Sequence, residues 1–234
     1  MELVFEKNIN IFIYLYKIML ILPRLINFAL VTIKSIGIDE SHGLSHAFNV
    51  LHHSHNILES EINKNPFLEN QREIIYTSAL VHDLCDKKYT NEFYGIAHIH
   101  RHLITQTPLL PEEAAIVEKI ISTMSYSKVK KEGFPTNLGN YRLAYHIVRE
   151  ADLLSAYDFD RSIIYNMNQI DPTFQQSIVN AIQLFDNRVL QHNQDELFIT
   201  DYSKELSKQL EKDALARIDT WKSILHSENI SINC

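Results

Sequence analysis

The chain has 234 residues, a net charge of −7 when histidine is neutral, and 45% hydrophobic residues. This length accommodates one domain with a sizeable core and does not require a second. The 5 Gly and 6 Pro argue against a turn-rich β architecture and favour a packed helical protein. The acidic balance argues against stable binding to nucleic acid. Cys85 in a predicted core and Cys234 in a predicted tail indicate no structural disulfide, so we expect a reducing, cytoplasmic environment.

The N-terminal segment is apolar enough to raise the question of membrane insertion. Charged and polar residues interrupt residues 9–33, and the uninterrupted apolar run at 18–22 is much shorter than the roughly 20 residues that a membrane span needs. Pro23 is expected to divide the segment into two helices, because proline lacks a backbone donor and its ring clashes with the preceding turn. We therefore predict that residues 1–38 form a helical arm, a helix pair, packed on a single unit of residues 39–234. We expect no membrane association.

Apolar residues recur at helical spacing through the rest of the chain, so we predict an all-α fold. Asp39 and Ser41 are both suited to cap the helix that follows the arm. The segment 130–140, which contains glycine and proline, is predicted to be a mobile flap or a connector. The later helices are predicted at about 67–85, 92–105, 112–124, 141–168, 172–190 and 197–225.

Five histidines lie on or next to the helix that follows the arm. His42 and His46 are four residues apart and His53 is seven residues beyond His46, so these three share one face. His52 and His55 are predicted to turn away from that face and to be solvated or packed. The face with His42 and His46 is therefore the candidate for a functional site.

A second apolar helix leads directly to adjacent His82 and Asp83, with Asp86, Lys87 and Lys88 on the next turn. Ionisable groups thus occur where a core is expected. A buried carboxylate is costly unless it is paired or bound to a metal, and imidazole beside carboxylate is a common donor set for a divalent ion. The stretch therefore predicts a metal site whose other ligands lie elsewhere in the chain.

Three stretches supply such residues in order: Asp-x-x-His-x-x-x-His over 39–46, His-Asp-x-x-Asp-x-Lys-Tyr over 82–89 and Glu-Ala-Asp-x-Leu-x-Ala over 150–156. Together they resemble the H…HD…D signature of the HD-domain metal-dependent phosphohydrolases, and the resemblance covers about residues 39–165. Within that superfamily, the chain is most similar to the small stand-alone hydrolases. The resemblance implies a helical bundle, here with additional C-terminal helices, and one divalent cation: Mn²⁺, Mg²⁺, Fe²⁺, Ni²⁺ or Co²⁺. The implied metal ligands are His46, His82, Asp83 and Asp152.

The resemblance also implies roles for residues near these ligands. Asp86 is the candidate general acid or base, acting beside Asp83, and His42 would orient water or phosphate. Asp158 departs from the family pattern, which tends to have glycine after the final ligand; the departure leaves the ligand set intact but changes the pocket wall. The candidate substrate-binding residues are Lys88, Lys87, Ser125 and Lys128.

His98 and His102 lie four residues apart on the helix predicted at 92–105. They could hold a second metal, face a phosphate or form a solvated surface. A second metal is not favoured, because the Gly-Tyr-Pro triplet of the dinuclear subfamily is absent from the sequence.

We expect a metal-dependent phosphohydrolase that cleaves a nucleotide, as a nucleoside triphosphate pyrophosphohydrolase or a nucleotidase, or another small phosphorylated compound. The alternatives are a non-catalytic metal and nucleotide sensor of the same fold, and a di-iron oxygenase that uses His98 or His102. The expected partner is a small phosphorylated substrate. The oligomeric state stays open, a homodimer included.

Overall fold

The structure, a computed structural model, describes residues 2–168 and 173–227, with side chains over 18–168 and 173–225. This part of the chain contains ten α-helices and no strand, which confirms the prediction of an all-α fold. Cys234 and the predicted helix start near 172 lie outside the described residues. The helices are α1 Glu2–Ile36, α2 Leu44–Ile62, α3 Arg72–Val81, α4 Glu92–Gln106, α5 Pro111–Thr123, α6 Tyr126–Glu132, α7 Arg142–Ser155, α8 Phe159–Met167, α9 Phe174–Asn187 and α10 Asp201–Ser227.

The core forms where α2, α3 and α7 pack against one another. Fully buried aliphatic side chains such as Val50, Ile75 and Ile147 build these faces, and burial of each contributes about 1.5–3 kcal/mol. Around this centre, α5 packs on α3, α8 pairs with α9, and α10 lies on α7. The central helices carry, or lead directly into, the predicted metal ligands, so the packed core supports the site.

The N-terminal segment forms one helix, and the predicted break at Pro23 was wrong. Pro23 is exposed, whereas Ile21 before it and Leu25 after it are fully buried. The helix packs on α3 and α2. Packing on both sides of Pro23 therefore offsets the backbone hydrogen bond that proline cannot make.

One described segment, Ile18–Ile36, is long and apolar enough by composition to cross a membrane, with a mean hydropathy of 1.6. Within the protein, 28% of it is buried. Core helices and N-terminal signal sequences meet the same criterion, so the segment is weak evidence for a membrane span.

The predicted single helix over 141–168 is divided into α7 and α8, which corrects that prediction. Asp158 accepts a hydrogen bond from the backbone N–H of Arg161 at 3.2 Å and so caps α8. Phe159 is buried and contacts Phe185 of α9, with ring centroids 5.1 Å apart. Because aspartate is a preferred cap and Phe159 has a partner on α9, the chain turns here and starts a new helix.

A buried ion pair joins α7 to the segment that precedes α10. Arg149 and Glu150 are 1% and 0% exposed, with 3.3 Å between Arg149 Nη2 and Glu150 Oε1. Glu150 accepts hydrogen bonds from the N–H of Ile199 at 2.7 Å, the N–H of Thr200 at 3.2 Å and the hydroxyl of Thr200 at 2.7 Å. Arg149 also donates to the carbonyl oxygen of Leu197. This network attaches the connection before α10 to the helix that carries the last predicted metal ligand.

Candidate metal centre

His46 lies in the first turn of α2 and is 2% exposed. Just before α2, Asp39 accepts a hydrogen bond from the backbone N–H of Ser41 at 2.9 Å and caps a 3₁₀ turn, Glu40–His42. The N-cap of α2 itself is Gly43, without a side-chain hydrogen bond, so the expectation that Asp39 or Ser41 caps α2 was wrong. The Nε2 atom of His46 then lies 3.2 Å from the Nε2 atom of His82.

His82 and Asp83 lie on a 3₁₀ turn, His82–Cys85, that directly follows α3. The Nδ1 atom of His82 lies 2.9 Å from the carbonyl oxygen of Ala79. Because a carbonyl oxygen can only accept, Nδ1 carries a proton, so Nε2 is the ring nitrogen that can become a ligand once it gives up its own proton. The turn thus orients the imidazole before any metal binds.

This turn corrects the prediction of one continuous helix over 67–85. The chain instead forms a 3₁₀ helix at Pro66–Gln71, then α3, then the His82–Cys85 turn. Gly95 of α4 lies against the turn, since a Cβ atom at this position would be 2.9 Å from the Cα of Cys85. The absence of a side chain at Gly95 therefore allows α4 to approach the turn that presents the ligands.

Asp152 of α7 completes a set of four converging donor atoms. Its Oδ1 lies 3.3 Å from His46 Nε2 and 3.7 Å from His82 Nε2. Asp83 Oδ2 lies 3.3 Å from each of the same two nitrogens. Neighbouring ligands of a six-coordinate ion, each about 2.1 Å from it, are separated by about 3 Å. The distances from each carboxylate oxygen to the two imidazole nitrogens are therefore of the size found between neighbouring ligands of one ion.

A buried acceptor supports this fit. Asp83 Oδ2 is enclosed and makes no hydrogen bond of regular geometry to a described residue, although two imidazole nitrogens lie 3.3 Å from it. A buried carboxylate oxygen is costly unless it is paired or bound to a metal. One ligand atom from each of His46, His82 and Asp83 lies within 4.8 Å of the others. The His/Asp cluster can therefore hold a metal ion.

The pKa values of His82, Asp83 and Asp152 are strongly shifted by their neighbours in the cluster. Burial raises the pKa of Asp83 and Asp152, but the imidazoles of His46 and His82 outweigh burial and bring both pKa values well below the usual range. Burial lowers the pKa of His82, but the two carboxylates raise it well above its usual value. Both carboxylates are thus ionised at neutral pH and available as anionic ligands.

Hydrogen bonds hold His42 beside the cluster. Lys88 Nζ lies 3.2 Å from His42 Nε2, and since an ammonium group can only donate, Nε2 accepts. The proton is then on Nδ1, which lies 2.7 Å from the hydroxyl oxygen of Ser41. The hydroxyls of Ser41 and Tyr89 both donate to Asp39, that of Tyr89 at 2.5 Å. His42 is therefore fixed in one orientation.

The same surroundings keep His42 neutral. Burial lowers the pKa of His42 to about 4; Asp83 opposes this change, whereas the positive charges of Lys88 and Arg161 add to it. His42 is therefore a hydrogen-bonding group rather than a cation at physiological pH.

A cavity of about 210 Å³ lies at the cluster. Its lining includes four further residues of the predicted site in addition to three of the four donor residues. The predicted residues that line it are His42, His46, Asp83, Asp86, Lys88, Ser125 and Asp152.

Two predicted phosphate-binding lysines lie outside this lining. Lys87 is exposed. Lys128 donates to the carboxylate of Glu92 and, at 2.6 Å, to the carbonyl oxygen of Ser122. The structure therefore brings Lys88 and Ser125 to the cavity but not Lys87 or Lys128.

Sequence reasoning missed two arginines and two tyrosines in the lining. Arg161 and Tyr165 lie four residues apart on one face of α8. The guanidinium carbon of Arg188 lies 4.8 Å from the centroid of the Tyr126 ring. The signal that could have identified the first pair is Asp158, because a helix capped there has both residues on one face.

The two histidines considered for a second metal do not line the cavity. The ring of His102 stacks on Phe28 of α1 with centroids 3.8 Å apart, and the His98 ring is 5.2 Å from the same ring. Both therefore form part of the contact between α4 and α1.

His192 is a fully buried histidine without a hydrogen bond from either ring nitrogen to a described residue. Its neighbours include the rings of Tyr126 and Tyr157, at centroid distances of 5.3 and 5.8 Å. Burial lowers the pKa of His192 from 6.5 to about 3, and the charges of Arg188 and Arg149 contribute. The folded protein therefore keeps this imidazole neutral well into acidic pH.

We expect this histidine to reduce stability in acid. Since the pKa is lower in the folded state, the unfolded chain binds the proton first, and stability is lost as pH falls below about 6.5. The loss attributable to His192 is about 2 kcal/mol at pH 5. Urea unfolding at pH 7 and at pH 5 gives the fall in the free energy of unfolding between the two pH values. This fall should be about 2 kcal/mol smaller in His192→Phe than in wild type. Exposed His52→Gln should behave like wild type, and equal losses in all three proteins would contradict the prediction.

The fold and the site together define an all-α protein with a buried His/Asp cluster that can hold a metal ion, within a cavity that contains three cationic side chains. No protein-family model and no curated protein matches the chain. A crystal structure of a Lactobacillus plantarum protein, solved as a structural genomics target, is similar over 88% of this chain and 96% of that chain, with a TM-score of 0.64 and 19% sequence identity. At this identity the similarity supports the fold alone.

Proposed function

We propose that this chain is a metal-dependent phosphohydrolase of the HD-domain type that acts on a nucleotide or another small phosphorylated compound. The observation that carries the proposal is the convergence of His46, His82, Asp83 and Asp152 at a cavity that also contains Lys88. These donors follow the order of the H…HD…D signature. Two imidazoles and two carboxylates suit a divalent cation of hard or borderline character.

The four donors would hold one divalent cation, such as Mn²⁺, which when bound lowers the pKa of a bound water and offsets charge on a phosphoryl group. Lys88 contributes a positive charge for the phosphoryl oxygens. Neutral His42 accepts a hydrogen bond from the ammonium group of Lys88 and so keeps that group at the cavity. Asp86 Oδ2 lies 3.8 Å from Lys88 Nζ. Asp86 accepts a proton from the attacking water and returns it to the leaving oxygen, a role typically worth about 10²–10⁴-fold in rate.

Product analysis tests the proposal. Full-length protein loaded with Mn²⁺ is incubated with nucleoside mono-, di- and triphosphates and with simple sugar phosphates, and products are separated by anion-exchange chromatography. The matched control is the same protein after dialysis against EDTA, measured before and after Mn²⁺ is restored. We expect turnover only when metal is present.

The products identify the bond that is cleaved. Nucleoside plus phosphate indicates a nucleotidase, and nucleoside monophosphate plus pyrophosphate indicates a pyrophosphohydrolase. Saturable nucleotide binding with no turnover of any compound by the Mn²⁺-loaded protein would contradict a hydrolase and support a sensor.

A further inference from the structure

Helix α8 contributes to the cavity wall a cation that the proposed hydrolysis does not yet use. Arg161 lines the cavity, and its Nη1 donates to the carbonyl oxygen of Ser41 at 3.0 Å. Its Nε is enclosed and makes no hydrogen bond to any described residue. A buried charged donor without an acceptor is costly. Arg161 thus brings to the cavity a guanidinium group whose donors are not all satisfied by described residues.

Arg161 and Lys88 both lie near His42 although they come from different elements. Lys88 Nζ is 3.2 Å from His42 Nε2, and the charges of Lys88 and Arg161 both act on this imidazole. Tyr165, one turn beyond Arg161, lies under Lys88 Nζ, which is 4.8 Å from its ring centroid. The Tyr165 ring is also 5.4 Å from that of His42. Two cations thus reach the cavity around one fixed, neutral imidazole.

The charges in the lining favour one class of phosphate. Three carboxylates and three permanent cations line the cavity and cancel in net charge. A divalent cation at the four donors leaves a surplus of two positive charges, which a dianion neutralises. A phosphomonoester is mostly a dianion at neutral pH, because its second pKa is about 6, whereas a phosphodiester is a monoanion and a triphosphate carries more negative charge than the surplus. The lining charges are Asp83, Asp86, Asp152, Lys88, Arg161 and Arg188.

We propose that Arg161 and Lys88 form a clamp for the phosphate of a phosphomonoester dianion, and that Arg161 selects monoesters over diesters. This inference rests on the proposed hydrolase function. A monoester presents three non-bridging oxygens, enough for the cation, Lys88 and Arg161, whereas a diester presents two. The planar guanidinium group suits paired hydrogen bonds to phosphate oxygens. Among nucleotides, the clamp favours nucleoside monophosphates.

The cap at Asp158 supports the same assignment. Asp158 accepts the hydrogen bond from the backbone N–H of Arg161, so the residue that departs from the family pattern is the one that positions the first turn of α8. Asp158 and Arg161 therefore belong to the same turn of the cavity wall, in which Asp158 holds the backbone of Arg161 in place.

The test compares wild type, Arg161→Gln, Arg161→Lys and, as a matched control, Arg101→Gln, which replaces an exposed arginine of α4 outside the cavity. All are full length and loaded with Mn²⁺, with bound metal measured by mass spectrometry and folding checked by circular dichroism. Isothermal titration calorimetry at about pH 8 measures binding of inorganic phosphate. Turnover of 4-nitrophenyl phosphate and bis(4-nitrophenyl) phosphate gives the ratio of monoester to diester kcat/KM.

We expect Arg161→Gln to weaken phosphate binding and to lower monoester kcat/KM by about 10–100-fold, with unchanged metal content and a diester kcat/KM within about 3-fold of wild type. Arg161→Lys keeps the positive charge but cannot form the paired hydrogen bonds of a guanidinium group, so its monoester kcat/KM should fall by about 3–10-fold. Arg101→Gln should match wild type. If Arg161→Gln does not fold, the lysine variant decides: unchanged phosphate binding and an unchanged ester ratio in Arg161→Lys would overturn the inference.

The two proposals fail separately. Monoester hydrolysis with phosphate binding and ester ratio unaffected in both Arg161 variants would overturn the clamp and leave the hydrolase intact. Phosphate binding that depends on Arg161, with no turnover of either ester or of any nucleotide, would overturn the hydrolase and support the anion site.

Discussion

Replacing Asp83 with asparagine is expected to reduce Mn²⁺ affinity by more than about 100-fold and to abolish turnover. Asp83 Oδ2 lies 3.3 Å from both His46 Nε2 and His82 Nε2, so the substitution removes an anionic donor from the centre of the set. Even residues behind the ligands contribute about 10–100-fold to metal affinity, and a direct ligand should contribute more. Equilibrium dialysis with metal analysis measures the affinity, and phosphate release measures turnover.

Asp86→Asn is the matched control for this experiment. Asp86 lines the same cavity, but its side chain makes no described hydrogen bond or ion pair to the side chains of the four donor residues. We expect this variant to retain one Mn²⁺ per chain and to lose about 10²–10⁴-fold in kcat. An Asp83→Asn protein with wild-type metal content and activity would refute the assignment of the metal centre.

Glu150→Gln is expected to lower the free energy of unfolding by about 3–5 kcal/mol, because breaking a buried ion pair leaves an uncompensated charge. The variant removes the partner of Arg149, which is 1% exposed. It also weakens the acceptor of the backbone N–H groups of Ile199 and Thr200. Urea unfolding followed by circular dichroism at pH 7 measures the change.

Glu205→Gln provides the comparison for Glu150, because Glu205 is 87% exposed and pairs with Lys208 on the surface of α10 at 3.9 Å. Its loss should change stability by less than about 0.5 kcal/mol. Hydrogen exchange supplies a local measurement: in Glu150→Gln the amides of Ile199 and Thr200 should exchange faster than in Glu205→Gln. A loss below about 1 kcal/mol in Glu150→Gln would contradict the role assigned to the network.

Several features were predictable because their signals are local. Apolar residues at helical spacing indicate an all-α fold, and the structure confirms it. His82 and Asp83 end an apolar helix, where ionisable groups need a partner. The four-residue spacing of His42 and His46 predicts that both face the site, although the structure places His42 on the turn before α2. Asp152 lies next to the buried residues of α7. The residue types that can hold a metal could therefore be selected from the sequence.

Other features depend on competition between local preference and packing. Pro23 disfavours a continuous helix locally, but the burial of Ile21 and Leu25 on either side keeps α1 unbroken. At Asp158 the cap and the contact of Phe159 with α9 end the predicted long helix. The continuity of α1 through Pro23 could not be predicted from helical spacing, because it depends on the helices against which α1 packs.

The amino-acid sequence alone was sufficient for the helical class and for the chemical type of the site, because periodicity and the placement of ionisable residues act within single helices. The tertiary fold settled which charged groups share the cavity. Arg161 reaches it because α8 turns back to Ser41, whereas Lys128 is held away by Glu92 on α4. These contacts join residues that are far apart in the chain, so their energies depend on how whole helices pack and not on local sequence.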